Sequence, residues 1–214
     1  MKEQALTADY SRKEERLNIL THAFGFLASL VAFPFLIIKS YCFIPFWERA
    51  SFIIFGFSLL LLYAASTLYH KAIDPVKRAK LKVFDHAAIF VLIAGTYTPF
   101  CLVALGNTSI GWNMFFAVWS FALIGIVFKL FFTGKFKHVS TVMYVLMGWL
   151  VMFFIKTLLE NLSEESAFYL IAGGVFYTIG AILYSIKRIP YNHAIFHVFV
   201  LLGSFSHFWA IYSM

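Results

Sequence analysis

A chain of 214 residues that is 62% hydrophobic and 13% charged, with mean hydropathy +0.84, lies far from the roughly half-apolar mixture of soluble domains, which excludes a water-soluble globular fold. Its formal charge of +7 does not point to nucleic acid, because the cations sit in short stretches between apolar runs instead of gathering on one face. Two cysteines, Cys42 and Cys101, are too few for a disulfide scaffold and lack the spacing of a thiolate metal site, so packing roles are expected.

A membrane-crossing helix needs about 20 mostly apolar residues, so the chain has room for roughly seven and no separate soluble domain. The predicted architecture is all-α, a polytopic membrane protein with seven transmembrane helices. Residues 1–18 are polar and mixed in charge, with no short apolar segment and small-residue cleavage signature after them. They are expected to form a cytoplasmic N-terminal segment, followed by one transmembrane domain over residues 19–214. Apolar runs place the spans at 19–38, 50–70, 83–105, 110–132, 139–159, 167–186 and 193–212. The connectors carry turn residues or charge, including Pro45, the pair Asp74-Pro75 and Pro190. Their shortness makes neighbouring helices antiparallel.

Lys and Arg number four in the N-terminal segment (Lys2, Arg12, Lys13, Arg16), five in the connector 71–82, three at Lys129, Lys135 and Lys137, and two at Lys187 and Arg188. Lys39, Arg49 and Lys156 are left for the other side and complete the 17. Cytoplasmic loops retain cations, which predicts the N-terminus inside and the C-terminus outside. Losing or adding one span would spoil the split.

Ionisable residues within spans are costly and mark functional positions. His70 ends the second predicted span, Asp85 opens the third, and His193 and His197 open the seventh. All four are therefore expected toward the cytoplasmic side. His193 and His197 are about one helical turn apart, so both rings can point at one atom; Ser66 and His70 repeat the spacing. Three imidazoles with an open position are a ligand set of catalytic zinc, which lowers the pKa of its bound water to about 7 and polarises a carbonyl. Asp85 can hold that water and accept its proton, and Ser66 can orient a ligand or steady a developing oxyanion. An H-x-x-x-H pair alone also fits interhelical hydrogen bonding; the shared depth of His70 and Asp85 is what favours a metal.

The remaining polar residues receive other readings. His22 shares a helical face with Asn18 and Glu14, and the three are candidates for supporting the site, through a capping or interhelical hydrogen-bond network more than through ligation. His86 points about 100° away from Asp85 around the helix and reads as a packing or interfacial residue. His138 lies among loop cations. His207 is about 20 Å along the axis from His193, too far for the same metal, and reads as an interhelical hydrogen bond. The run Thr96-Tyr97-Thr98-Pro99 marks a kink in the third span.

These same segments resemble the bacterial hemolysin III family, within the progestin and adipoQ receptor superfamily that includes the adiponectin receptors and is similar to the alkaline ceramidases. The matching stretches run from Glu14, Glu15, Asn18, Thr21 and His22, through Ser66–His70 and Asp85–Pro99, to His193, His197, Gly203 and His207. The resemblance covers nearly the whole chain. It implies a seven-helix protein of the bacterial inner (plasma) membrane with Zn2+ near the cytoplasmic face, ligated by His70, His193 and His197. Asp85 would hold the metal's water and Ser66 would lie beside it.

Three functions are then open: a zinc-dependent hydrolase of a membrane lipid, with an amide as a candidate scissile bond; a non-catalytic regulator of membrane lipid or energy homeostasis; and a pore-forming cytolysin. The implied ligand is a membrane lipid or fatty-acyl chain. Few charges lie outside the cytoplasmic cluster, which disfavours a wide aqueous pore. The seventh span has no lysine for a retinal Schiff base, and a G-protein-coupled receptor would need the opposite orientation.

Overall fold

The structure is a computed structural model that describes residues 10–43, 45–132 and 137–214, apart from the side chains of Lys137 and His138. Lys2, Lys135 and the side chains of Lys137 and His138 therefore lie outside the described residues. Every regular element among the described residues is helical: α1 (Arg12–Ser40), α2 (Phe46–Lys71), α3 (Pro75–Pro99), α4 (Ser109–Phe132), α5 (Lys137–Gly148), α6 (Ile155–Glu160), α7 (Glu164–Ser185) and α8 (Asn192–Tyr212). Six helices are long and apolar enough to cross a membrane: α1, α2, α3 with its extension to Ala104, α4, α7 and α8. The end of the bundle where α1 begins and α2 stops is hereafter the basic end.

Local capping explains where helices start. Ser11 Oγ accepts from the backbone N–H of Glu14, and Glu14 and Glu15 occupy the positive first turn of α1, so residues 12–18 of the expected polar segment are helical. Asp74 accepts from the N–H of Lys77 at 2.7 Å, and Pro75 fills the first helical position, where a missing N–H costs nothing. The third helix accordingly begins eight residues before the expected boundary. Residues 75–82, expected as connector, are helix, and Asp85 lies inside α3 instead of opening it.

The expected fifth crossing, 139–159, is not one continuous helix. α5 stops at Gly148, a 3-10 turn covers Trp149–Phe153, and α6 follows. Such a break frees backbone groups that lipid cannot satisfy. The hydroxyl of Tyr97 supplies both partners: it donates to the carbonyl of Gly148 and accepts from the N–H of Val151, each at 2.8 Å. Tyr97 belongs to the run expected to disturb the third span, and there α3 passes beyond Pro99 into a π-helical turn, Phe100–Ala104. Thr96 and Thr98 return their hydroxyls to the carbonyls of Leu92 and Ala94.

α2 packs between α1 and α3, α8 between α1 and α7, and α4 lies against α3. Close approach requires small residues at the crossings. A Cβ on Gly95 would sit 2.4 Å from Ser58 Oγ, and one on Gly125 would sit 2.3 Å from the Phe90 ring. Cys42 is exposed and Cys101 buried, and both are free thiols.

Candidate metal centre

The C-terminus of α2 and the N-terminus of α8 meet at the basic end, and each is held by side-chain bonds to backbone. Arg78 of α3 donates to the carbonyls of Tyr69, His70 and Ala72 at 3.5, 3.4 and 3.2 Å, satisfying acceptors that a helix end leaves open. Its guanidinium also lies 4.7 Å from the Tyr69 ring centroid. On the other side Tyr191 takes a left-handed conformation, φ 57°, rare for a residue with a Cβ. This reversal lets Asn192 donate to the carbonyl of Tyr184 at 2.8 Å and close the end of α7. His70 and His193 sit beside these two fixed points.

His70, His193 and His197 are all buried, and one ligand nitrogen from each lies within 4.8 Å of the others. Nε2 of His193 is 3.1 Å from Nε2 of His70. Ring centroids are 5.0 Å apart for His70 and His193, 4.4 Å for His193 and His197, and 5.2 Å for His70 and His197.

Hydrogen bonds behind the rings decide which nitrogens carry lone pairs. Glu15 Oε2 is 2.7 Å from Nδ1 of His70; an ionised carboxylate only accepts, so Nδ1 carries the proton and Nε2 the lone pair. Thr21 gives its single hydroxyl proton to the carbonyls of Leu17 and Asn18, at 2.8 and 3.1 Å. Its oxygen therefore accepts from Nδ1 of His197 at 3.2 Å, which again leaves Nε2 as the basic nitrogen. Histidine metal ligands are oriented by this kind of partner. Around a tetrahedral zinc with bonds of about 2.0–2.1 Å, ligand nitrogens stand about 3.3 Å apart. The donor chemistry and the 3.1 Å separation fit such an ion.

Asp85 is not among the clustered ligand atoms. It is buried, and together with Ser66, His22, His193 and His197 it lines a cavity of about 730 Å³. From this polar end the cavity runs along Leu92, Tyr97 and Phe100 and reaches Leu158 and Leu170, so most of its wall is apolar. Gly148, Trp149 and Met152 on one side, and Ile171, Gly174 and Thr178 on α7, form its flank. A Cβ on Gly148 or Gly174 would meet nothing within 4 Å.

The support candidates divide. His22 stacks on His197 with centroids 3.5 Å apart, and among the described residues neither its ring nitrogens nor the Asn18 amide finds a hydrogen-bond partner. Glu14 starts α1 through its backbone N–H, and the carboxylate that reaches the site belongs to Glu15. His207 bonds to the carbonyl of Leu170 at 3.2 Å, tying α8 to α7 as expected. Sequence reasoning gave Glu15, Thr21 and Arg78 no role. The available signal was the i, i+3, i+7 face shared by Glu15, Asn18 and His22. Tyr10 stacks on His193, centroids 4.6 Å apart, and also lines the cavity.

The model of a family described as "Haemolysin-III related" matches residues 10–208. The chain is 46% identical over 202 residues to the Hemolysin-3 homolog of Bacillus subtilis (strain 168), covering 94% of each protein. It is 41% identical over 199 residues to Hemolysin-3 of Bacillus cereus, covering 93% of this chain and 90% of that one. A more distant likeness is to the Monocyte to macrophage differentiation factor of Homo sapiens, 28% identical over 211 residues with 93% and 83% covered.

Proposed function

Because this chain belongs to the haemolysin-III related family and is a multi-pass membrane protein, we propose that it is a metal-dependent hydrolase of a membrane lipid, with an amide as the favoured scissile bond. The observation that carries the reading is the cluster of His70, His193 and His197, of which His193 and His197 line the same long and mostly apolar cavity as Asp85. His70, His193 and His197 would hold a divalent ion, zinc by donor type. Such an ion, when bound, supplies Lewis-acid activation of water and of a carbonyl.

The protein's own groups do the rest. Glu15 and Thr21 keep two imidazoles in the tautomer that presents Nε2. Asp85, on the cavity wall, accepts a proton from the attacking water and returns it to the leaving group. Ser66 donates its hydroxyl toward the oxygen that gains charge. The apolar wall takes the acyl chain and excludes bulk water from the reacting end. Trp149 is 50% and Ile171 53% exposed although both line the cavity, so an acyl chain can enter sideways from lipid between the 3-10 turn and α7. With the N-terminus inside, the orientation that the distribution of Lys and Arg favours, the chemistry would lie at the cytoplasmic face.

Purified protein incubated with lipid amides tests this: release of free fatty acid is expected from the wild type and is lost in Asp85→Ala at unchanged metal content. Equal turnover by the two would overturn it. A regulatory reading is favoured by one observation, that Glu15, Arg78, His70 and His193 tie four helices together at one end. In that case metal removal lowers thermal stability, and Asp85→Ala leaves the cellular phenotype intact.

A further inference from the structure

Tyr177 on α7 and His207 on α8 both line the cavity, and each ring is seated on a glycine of the opposite helix. A Cβ on Gly203 would come within 2.7–2.9 Å of the Tyr177 ring, and one on Gly173 within 2.2–2.4 Å of the Cδ2–Nε2 edge of His207. The two rings are thereby neighbours, with centroids 5.4 Å apart. Ser204, beside Gly203, lies about 16 Å further along α8 than His193, and His207 is about one turn beyond it. This is the part of the chamber where Val200 and Leu170 also form the wall.

Three hydroxyls meet at this level. Tyr63 of α2 donates to Ser204 Oγ at 2.8 Å, and Ser204 Oγ is also 2.8 Å from Tyr177 Oη. Three hydrogens thus serve two bonds, and among the described residues these hydroxyls make no other. Tyr63 has given its hydrogen to Ser204. Were Tyr177 to donate as well, the hydrogen left over would sit on buried Ser204, unmet and inaccessible, which is costly. Ser204 therefore donates to Tyr177, and the spare hydrogen is on Tyr177, the one of the three that lines the cavity. The neighbouring imidazole offers the complement. Its Nε2 is 3.2 Å from the carbonyl of Leu170, and a carbonyl only accepts, so Nε2 carries the proton. Nδ1 of His207 then holds a lone pair, and it finds no hydrogen-bond partner among the described residues.

A donor and an acceptor, each unmet, stand on adjacent rings in a mostly apolar chamber, and buried polar groups are costly unless matched. A hydroxyl is the group that matches both, since it accepts through oxygen and donates through hydrogen. We infer that Tyr177 and His207 form a reading position for a hydroxyl carried partway down an acyl chain, its oxygen accepting from Tyr177 and its hydrogen given to Nδ1 of His207. The ligand class is a hydroxylated acyl chain. This rests on the lipid-cavity reading above and gives that cavity a preference in the tail. With the head at the histidine cluster, the span of about 16 Å along α8 corresponds to about a dozen carbons of an extended chain. Tyr177 acts as a specificity residue, far from the reacting end, and Tyr63 with Ser204 aligns its hydroxyl. A site built to hydrogen-bond a hydroxyl discriminates against the analogue that lacks one there.

The test is equilibrium binding, to the detergent-purified full chain, of octadecanoate and of its 6-hydroxy and 12-hydroxy derivatives. The two hydroxy acids are isomers, so the cost of taking the hydroxyl out of water is common to both and only its position differs. The wild type is expected to bind the 12-hydroxy acid about fivefold more tightly than the 6-hydroxy acid, in line with the net worth of one hydrogen bond. Tyr177→Phe keeps the ring on Gly203, and is expected to erase that difference while leaving the affinity for octadecanoate unchanged. Equal binding of the isomers by the wild type, or a preference for the 6-hydroxy acid, overturns the inference, as does an undiminished preference in Tyr177→Phe. Equal binding is also what a water held between Tyr177 and His207 would produce. Octadecanoate bound with no positional preference removes this inference and leaves the lipid-cavity reading, whereas failure of all three acids to bind removes both.

Discussion

Oε2 of Glu15 lies 2.7 Å from Nδ1 of His70, and the other oxygen of the same carboxylate bonds the Arg78 guanidinium. One side chain from the first turn of α1 therefore orients a ligand on α2 and is itself held from α3. Partners of this kind typically change metal affinity 10–100-fold. Glu15→Ala is expected to weaken metal binding by about that factor in competition with a chelator, whereas Glu14→Ala leaves it unchanged.

The break between α5 and α6 depends on Tyr97. Removing its hydroxyl leaves the carbonyl of Gly148 and the N–H of Val151 without their partner, and an unsatisfied buried group costs about 1–3 kcal/mol. Tyr97→Phe should lower the melting temperature in detergent and leave metal content intact. An unchanged melting temperature would show that the turn is held by other contacts.

Close helix crossings predict an asymmetry among glycines. Gly125→Ala drives a methyl group into Phe90 and is expected to destabilise by about 1–3 kcal/mol, the usual range for overpacking. Gly174→Ala enters open space and is expected to be neutral or mildly stabilising, since alanine favours helix. Thermal unfolding of the two variants side by side is the measurement.

A larger side chain at the same open position acts on the cavity. Gly174→Phe should fold, because its Cβ meets nothing, but it obstructs the flank where Trp149 and Ile171 face both cavity and lipid. The expected result is slower exchange of a fluorescent acyl probe at unchanged metal content. Wild-type exchange rates would argue against entry between the 3-10 turn and α7.

Much of this arrangement is legible in the chain itself, and the gaps have physical causes. Six of the seven predicted crossings are found as long apolar helices, because lipid demands such helices regardless of context. The spacing of His193 and His197 places two rings on one face for the same local reason. The interruption after Gly148 is invisible, because residues 139–159 remain apolar and the partner that permits the break, Tyr97, comes from a distant helix. Glu14 and Glu15 are adjacent and border the same face, so only the position of α2 decides which one reaches His70. The early start of α3 was within reach: Asp74-Pro75 is a capping signature that reads equally well as a turn. Lys129 shows the limit of counting charges, since a cation near a loop sets topology on paper while its side chain is buried in the bundle.

Metal analysis of the detergent-purified protein beside a His193→Ala, His197→Ala double variant bears most directly on the centre. The account predicts about one divalent ion per wild-type chain and almost none in the variant. Equal metal in both would contradict it.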